Sequence, residues 1–481
     1  MFGELIYFLG LILLAIGGVM AVPIPVAFFS GEVGLIPYFS IPAAIAFATG
    51  LILWWKFELS DLTYGEAMVM AAFAWLLASL FGSVPFVFGS GLDPLSAYFE
   101  SMSGFTTTGL TMFKMEGSGM ISSHHTILFW RSLTQWVGGM GIMVLFLSAV
   151  VGAGKIAKQL FSAEGGGGRT GPGGRRGPEV TVKSSAKSVW KIYVLYTILA
   201  IAFLYFAGIP IFDSVNHGMT ALATGGFSVT SDSFASYSTP ILIVTLFPMI
   251  AGATSFVIHR RVVGGDWKAF FKNLEFRLMI ALIALSAFVL AWSTGVMDGI
   301  FTSVSASTTV GFSSVGKAGI IDGGGWGPLQ KSIVIFQMVV GGGFGSTAGA
   351  IKLIRTVVLI MALAWLVKKS LLPERAVVPF KIGDRIFSEG EVLQTAVFAF
   401  IYVLLLAIGS LVTMAALPGE SAINCIFDSV SAQGTVGLSA GVTGPAMPAV
   451  VKVTYIIQMW IGRLEVIPVA TLFGYLASKF R

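Results

Sequence analysis

Ten long apolar runs constrain what this chain can fold into. Eight carry no charge: residues 5–29, 33–55, 67–92, 132–154, 192–212, 238–258, 278–297 and 392–419. Two more are interrupted, 332–367 by Lys352 and Arg355, and 447–478 by Lys452, Arg463 and Glu465. Each reaches the roughly 20 residues that a helix needs to cross a bilayer core. Backbone polar groups must be satisfied within such a run, so it folds as helix. The chain is therefore predicted to be an all-α polytopic membrane protein with about ten transmembrane helices. Composition agrees, with 56% of the 481 residues hydrophobic and 11% charged, against roughly 25% charged in soluble domains. The first run is long and lacks a small-residue cleavage site, so it reads as an anchor rather than a signal peptide. One cysteine excludes a disulfide scaffold. The histidines, His124, His125, His217 and His259, show no metal-ligand spacing. No grouped carboxylates sit near a membrane face, so a membrane enzyme such as a lipid transferase lacks its constellation.

Basic residues mark the cytoplasmic side. Residues 152–191 hold Lys155, Lys158, Arg169, Arg175, Arg176, Lys183, Lys187 and Lys191. Residues 259–277 hold Arg260, Arg261, Lys268, Lys272 and Arg277, and 366–388 hold Lys368, Lys369, Arg375, Lys381 and Arg385. These loops share one side with Lys56, Lys479 and Arg481, while the opposite loops hold Lys114, Lys317, Lys331 and Lys452. Both termini are predicted to be cytoplasmic. The asymmetry accounts for the net charge of +6 without a nucleic-acid partner.

Four segments lie between spans and are too short to cross: 94–108, 212–225, 298–310 and 420–436. They read as re-entrant, a short helix entering from the outer side and an extended return, a form tolerated only where it lines a cavity or is buried in protein. Their ends share one pattern of Thr, any residue, Gly, then Leu or Phe. The matches are Thr107-Thr108-Gly109-Leu110, Thr224-Gly225-Gly226-Phe227, Thr309-Val310-Gly311-Phe312 and Thr435-Val436-Gly437-Leu438. A small hydroxyl precedes each glycine by six residues, at Ser103, Thr220, Ser305 and Ser431. The unit of outer helix, pore helix, glycine loop and inner helix therefore occurs four times, at about 64–155, 187–262, 276–368 and 389–481. Residues 1–58 form a two-helix hairpin outside the repeat, and 156–186 form a glycine-rich, flexible cytoplasmic loop.

Four such loops around one axis would present carbonyl rings able to replace the water shell of a desolvated monovalent cation. Pore helices aiming their partly negative C-terminal ends inward would favour a cation. The lining residues are then Thr106, Thr107, Thr108 and Gly109, Ala223, Thr224, Gly225 and Gly226, Thr308, Thr309, Val310 and Gly311, and Gly434, Thr435, Val436 and Gly437. Potassium would be the substrate, and no cofactor is called for in the chain itself. In the third inner helix, Gly341, Gly342, Gly343, Gly345 and Gly349 predict an unwound stretch just below these loops, because each glycine costs roughly 1 kcal/mol in a helix. Arg463 lies mid-span in the fourth, where a charge is a functional candidate. Glu100 and Asp428 each stand nine residues before a loop glycine. Arg131 reads as an outer-leaflet or pore-helix anchor.

The four loops, Phe129-Trp130-Arg131 and Gln135-Trp136-Val137-Gly138-Gly139 resemble the TrkH/KtrB/HKT superfamily of potassium transporters. The resemblance is closest to TrkH, whose added N-terminal pair looks like residues 1–58. It implies one chain with four potassium-channel-like repeats and potassium uptake across the plasma membrane of a prokaryote. It also implies an intramembrane loop at the Gly341–Gly349 break that closes the path, and an arginine barrier below the filter at Arg463. A cytosolic nucleotide-binding ring, TrkA or KtrA, and a homodimer follow from the same resemblance. Sodium-selective plant members carry Ser at the first filter glycine, and this chain has Gly109. A sodium-permeant or ion-coupled secondary transporter is the alternative.

Overall fold

The computed structural model describes residues 2–57, 64–114, 119–141, 182–315, 326–373, 378–383 and 385–479. The fold is almost wholly helical. An N-terminal pair, α1 (Phe2–Ala21) and α3 (Ile36–Lys56), is joined through the short α2 (Pro23–Phe29). Their crossing is close because Gly10 and Gly50 face each other's carbonyls: a Cβ on either would lie 2.8 and 2.7 Å from the opposite oxygen. Small residues let helix backbones approach in this way.

Four units follow. The first comprises α4 (Tyr64–Ser90), α5 (Pro94–Phe105) and α6 (His125–Met140). The second comprises α7 (Val182–Phe206), α8 (Ile211–Leu222), α9 (Thr239–Ala253) and α10 (Phe256–Val263), with α11 (Lys268–Lys272) leading on. The third comprises α12 (Leu274–Thr294), α13 (Val296–Ser307), α14 (Pro328–Val340) and α15 (Leu353–Ser370). A small antiparallel hairpin of β1 (Phe380–Ile382) and β2 (Arg385–Phe387) precedes the last unit. That unit comprises α16 (Glu389–Ala416), α17 (Ala422–Gln433), α18 (Ala449–Leu464) and α19 (Ile467–Lys479).

The short helices α5, α8, α13 and α17 have 12 residues each. At 1.5 Å per residue they cannot cross a bilayer. Their starts are written locally. Asp93 caps α5, its carboxylate accepting from Leu95 N at 3.1 Å and Ser96 N at 3.0 Å, with Pro94 opening the first turn. Ser388 and Glu391 form a capping box on α16.

Among the described residues six helices are long and apolar enough to cross a membrane, or eight if two bent pairs each count as one span. The difference from about ten spans lies in the inner helices. α6 stops at Met140, and Gly141 turns away at φ 81°; the rest of the expected 132–154 span, and residues 156–181 of the expected flexible loop, lie outside the described residues. α9 and α10 meet at a 108° bend, as do α18 and α19. The 238–258 and 447–478 runs are thus sharply broken rather than straight. Hydropathy counts apolar residues and is blind to a break whose freed carbonyls find donors elsewhere in the protein.

Candidate functional site

Each short helix ends the same way. The residue after its C-cap is a threonine in the left-handed region: Thr107 at φ 55°, Thr224 at 53°, Thr309 at 55° and Thr435 at 51°. Their N–H groups bond to Gly104, Ala221, Ala306 and Ala432 oxygens at 2.9, 3.2, 3.2 and 3.2 Å. The next N–H groups, of Thr108, Gly225, Val310 and Val436, reach back to Ser103, Thr220, Ser305 and Ser431 oxygens at 2.8, 2.9, 3.0 and 2.9 Å. This is a Schellman ending four times over, with threonine where glycine is usual. The sequence marked these threonines as lining residues, but gave no sign of their backbone conformation.

One residue further on, the glycines take φ 90° at Gly109, 77° at Gly226, 86° at Gly311 and 98° at Gly437. A Cβ on Gly109 would collide with the Gly225 carbonyl oxygen, one on Gly226 with that of Val310, one on Gly311 with that of Val436, and one on Gly437 with that of Thr108. The order is unit one to two, two to three, three to four and four back to one. The four loops therefore close a ring about one axis, with four carbonyls at its seams. Leu110, Phe227, Phe312 and Leu438 are all buried behind it.

The threonine side chains differ. Thr107 and Thr435 hold buried hydroxyls with no hydrogen-bond partner. Thr309 Oγ1 accepts from Gly349 N at 2.9 Å, and Thr224 Oγ1 donates to Ala223 O at 2.7 Å and to Thr347 Oγ1 at 3.2 Å. Of the other expected lining residues, Thr106 and Thr308 spend their hydroxyls on Met102 O and Val304 O, at 2.6 Å each. Ala223 and Gly434 are the C-caps of α8 and α17.

Between α14 and α15 the chain leaves the helix from Gly341 to Lys352. This loop passes against the threonine level of the ring, through Gly349 at Thr309 and Thr347 at Thr224. A Cβ on Gly349 would collide with Thr435 Oγ1. The loop also takes up the carbonyls freed by the α9–α10 break. Gly343 N donates to Ala253 O at 2.9 Å, Thr347 N to Gly252 O at 3.1 Å, and Phe256 N donates to Gly345 O at 3.1 Å. At its outer edge Glu275 accepts from Phe344 N at 2.6 Å. Gly342 faces Ala348 and Ala253.

Arg463 reaches backbone carbonyls of two separate segments. Its Nη1 donates to Thr347 O at 2.7 Å, and its Nη2 to Gly138 O at 2.6 Å and Gly139 O at 3.0 Å. It thus ties the loop to the end of the first inner helix. Glu465 pairs with Arg355 at 2.5 Å. Of its two readings, outer-leaflet or pore-helix anchor, Arg131 takes the second, because Glu100 lies on the short helix α5. It is 1% exposed, and its Nε donates to Glu100 Oε1 at 2.8 Å.

Two sets of residues were missed by sequence reasoning. Gln135 donates its amide N to Gly225 O at 2.6 Å and accepts from Phe227 N at 2.9 Å, so the first inner helix grips the second loop. Gln337 donates to Ser307 Oγ at 2.7 Å, and Gln458 to Ser429 Oγ at 2.9 Å. The available signal was a Gln four residues before a Gly in three inner helices: 139 − 135, 341 − 337 and 462 − 458. Gly138, Gly252 and Gly462 form the other set. A Cβ on each would collide with the last carbonyl of its own short helix, at Phe105, Leu222 and Gln433.

These features define a multi-pass helical membrane protein built on four similar re-entrant units about one axis. The profile of the TrkH family, described as cation transport protein, matches residues 36–292 and 269–480, and the chain belongs to that family. It is thus a cation transporter rather than an enzyme. It is 32% identical over 478 residues to an uncharacterized cation transporter of Methanocaldococcus jannaschii, covering 99% of this chain and 96% of the relative. It is 31% identical to the Trk system potassium uptake protein TrkH of Salmonella typhimurium, with 96% of each chain covered. The crystal structure of the potassium transporter TrkH from Vibrio parahaemolyticus superposes with a TM-score of 0.84 over 98% of both chains, at 26% identity.

Proposed function

We propose that this chain is a potassium-uptake subunit of a prokaryotic plasma membrane. The observation that carries the reading is the closed ring of glycine-to-carbonyl approaches among Gly109, Gly226, Gly311 and Gly437. Carbonyls gathered at such a ring can stand in for the water shell of potassium. The buried, unpartnered hydroxyls of Thr107 and Thr435 offer further oxygens. Relatives named as potassium uptake proteins support the choice of ion. The loop from Gly341 to Lys352, held by Arg463, is the gate below. Its glycines let it leave the helix, and the guanidinium adds a positive charge against cation passage.

Regulation comes from a cytosolic TrkA-like nucleotide-binding ring. It docks on the basic loops 162–188, 259–277 and 366–388, the last two carrying α11 and the β1–β2 hairpin. Both termini are cytoplasmic on the distribution of Lys and Arg, and the protein acts as a homodimer, read from family resemblance.

Rescue of a strain lacking its own potassium uptake tests the reading. Wild-type protein restores growth at low potassium, and Gly311→Ser abolishes rescue, because a side chain at φ 86° is strained and meets the Val436 carbonyl. Equal rescue by both would sink the proposal. Rescue that tracks sodium instead of potassium would move the assignment to the sodium-permeant alternative.

A further inference from the structure

The four units carry a second shared feature behind the ring, which the transport reading does not use. Two residues after each ring glycine stands a hydroxyl: Thr111, Ser228, Ser313 and Ser439. Nine residues before each glycine, on the short helix, stand Glu100, His217, Thr302 and Asp428. In three units these two positions are hydrogen-bonded. Thr111 Oγ1 donates to both Glu100 oxygens at 3.0 Å. His217 Nε2 lies 3.0 Å from Ser228 Oγ. Ser439 Oγ donates to Asp428 Oδ2 at 2.7 Å. The two acids go further and take the following backbone N–H, Met112 N at 2.7 Å and Ala440 N at 2.6 Å. Thr443 adds its N–H and hydroxyl to Asp428, each at 2.8 Å. In the third unit the same pair is left unmade: Thr302 Oγ1 and Ser313 Oγ are both buried without a partner. There Asp298 accepts from Ser314 Oγ at 2.7 Å instead.

Two of these ties are linked. Arg131 donates to Glu100 Oε1, to Thr111 Oγ1 at 3.2 Å and to Ser228 O at 2.9 Å. Its guanidinium lies 4.1 Å from the Phe227 ring centroid. One side chain therefore fixes the segments leaving the first and second loops together.

We propose that Glu100, His217 and Asp428 are positioning residues that hold the outer end of the ring through the hydroxyl two places beyond each glycine, and so set which cation the path accepts. The inference rests on the transport reading above. A carbonyl ring discriminates by holding its oxygens at a spacing that suits one ion, and hydrogen-bonded struts keep that spacing from relaxing around a smaller one. The acids suit the task because one carboxylate can receive a side-chain donor and a backbone donor at once. Burial makes the strut stiff, since leaving it would strand a charged acceptor away from water. The three ties differ in chemistry, so their failure should be graded: loss at the acid-held loops costs more discrimination than loss at the histidine-held loop.

The test uses full-length protein in vesicles, measuring rubidium and sodium flux side by side. Thr111→Val and Ser439→Ala remove the loop-side arm while leaving each acid its backbone donors. Each raises the sodium-to-rubidium flux ratio about fivefold, the effect of one net hydrogen bond. His217→Leu raises the ratio less, and His217→Gln, which can still reach Ser228, stays near wild type. A merely structural role would lower the yield of folded protein without moving the ratio. An unchanged ratio in all three removals overturns the proposal, as does identical behaviour of His217→Gln and His217→Leu. Should Thr111→Val not fold, Ser439→Ala decides, because Asp428 keeps its bonds from Ala440 and Thr443. Wild-type protein that carries no cation would overturn the transport reading and this one together; selective wild-type flux with indifferent variants overturns this one alone.

Discussion

At the scale of the residue, the ring depends on backbone angles that β-branched side chains avoid. Four threonines in the left-handed region cost roughly 1–3 kcal/mol each, and the paired Schellman bonds hold them there. Below the ring, Arg463 donates to the carbonyl oxygens of Thr347, Gly138 and Gly139. Arg463→Ala frees the loop and removes the positive charge. Rubidium flux through reconstituted vesicles without any regulatory partner then rises about tenfold, the equivalent of roughly 1.4 kcal/mol; unchanged flux would refute the barrier. Arg131 is a different case, a buried cation with Glu100 as its partner. Arg131→Met strands that carboxylate and lowers stability by about 3–5 kcal/mol, measured as thermal unfolding in detergent. Combining it with Glu100→Gln recovers most of the loss. Arg131 was legible as an outer-leaflet or pore-helix anchor but not as half of an ion pair, because its partner lies 31 residues away and only packing brings them together.

At the scale of the element, the inner helices are built to break. The carbonyls freed at the α9–α10 break are taken by the Gly341–Lys352 loop, so the break of one helix and the unwinding of another stabilise each other. Glu275 holds the far edge of that loop through Phe344 N. Glu275→Ala should speed hydrogen exchange across residues 343–347 relative to α12; no change there would show that the loop is held by its other contacts alone. The N-terminal pair is tied to the first unit by a comparable device. Glu32 accepts from His125 N at 2.7 Å, and from Thr126 N at 2.9 Å and Oγ1 at 2.6 Å, capping α6 from another part of the chain. Burial alone would raise the Glu32 carboxyl, but these hydrogen bonds outweigh it and hold it below the usual carboxylate range. Stability from this contact is therefore present above the unfolded value and is lost as pH falls through the lowered folded one. Glu32→Gln costs about 1 kcal/mol near neutral pH and flattens the acid side of the unfolding midpoint against pH. The short helices and the glycine-rich break could be read from the sequence, since length and glycine content act locally. The 108° bend between α9 and α10 could not, because its freed carbonyls find donors in a distant segment.

At the scale of the whole molecule, the ring is a single cooperative object. Each glycine makes room for the carbonyl of the next unit, so one added methyl disturbs a seam shared by two loops. Gly226→Ala and Gly437→Ala each abolish rescue at low potassium, and the double variant is no worse than either; retained growth in either single variant would show that the seams are independent. The amino-acid sequence by itself determined that the chain lies in a membrane as helices, that it repeats one unit four times, and that a glycine follows a threonine at each return. These are consequences of hydropathy, segment length and local conformational preference, which need no knowledge of neighbours. Only the tertiary structure decided that the four loops meet in cyclic order, that Gln135 and Arg131 reach from the first unit to the second, and that Arg463 anchors the loop beneath. Those contacts join residues far apart in the chain, and their geometry exists only once the units have closed around one axis.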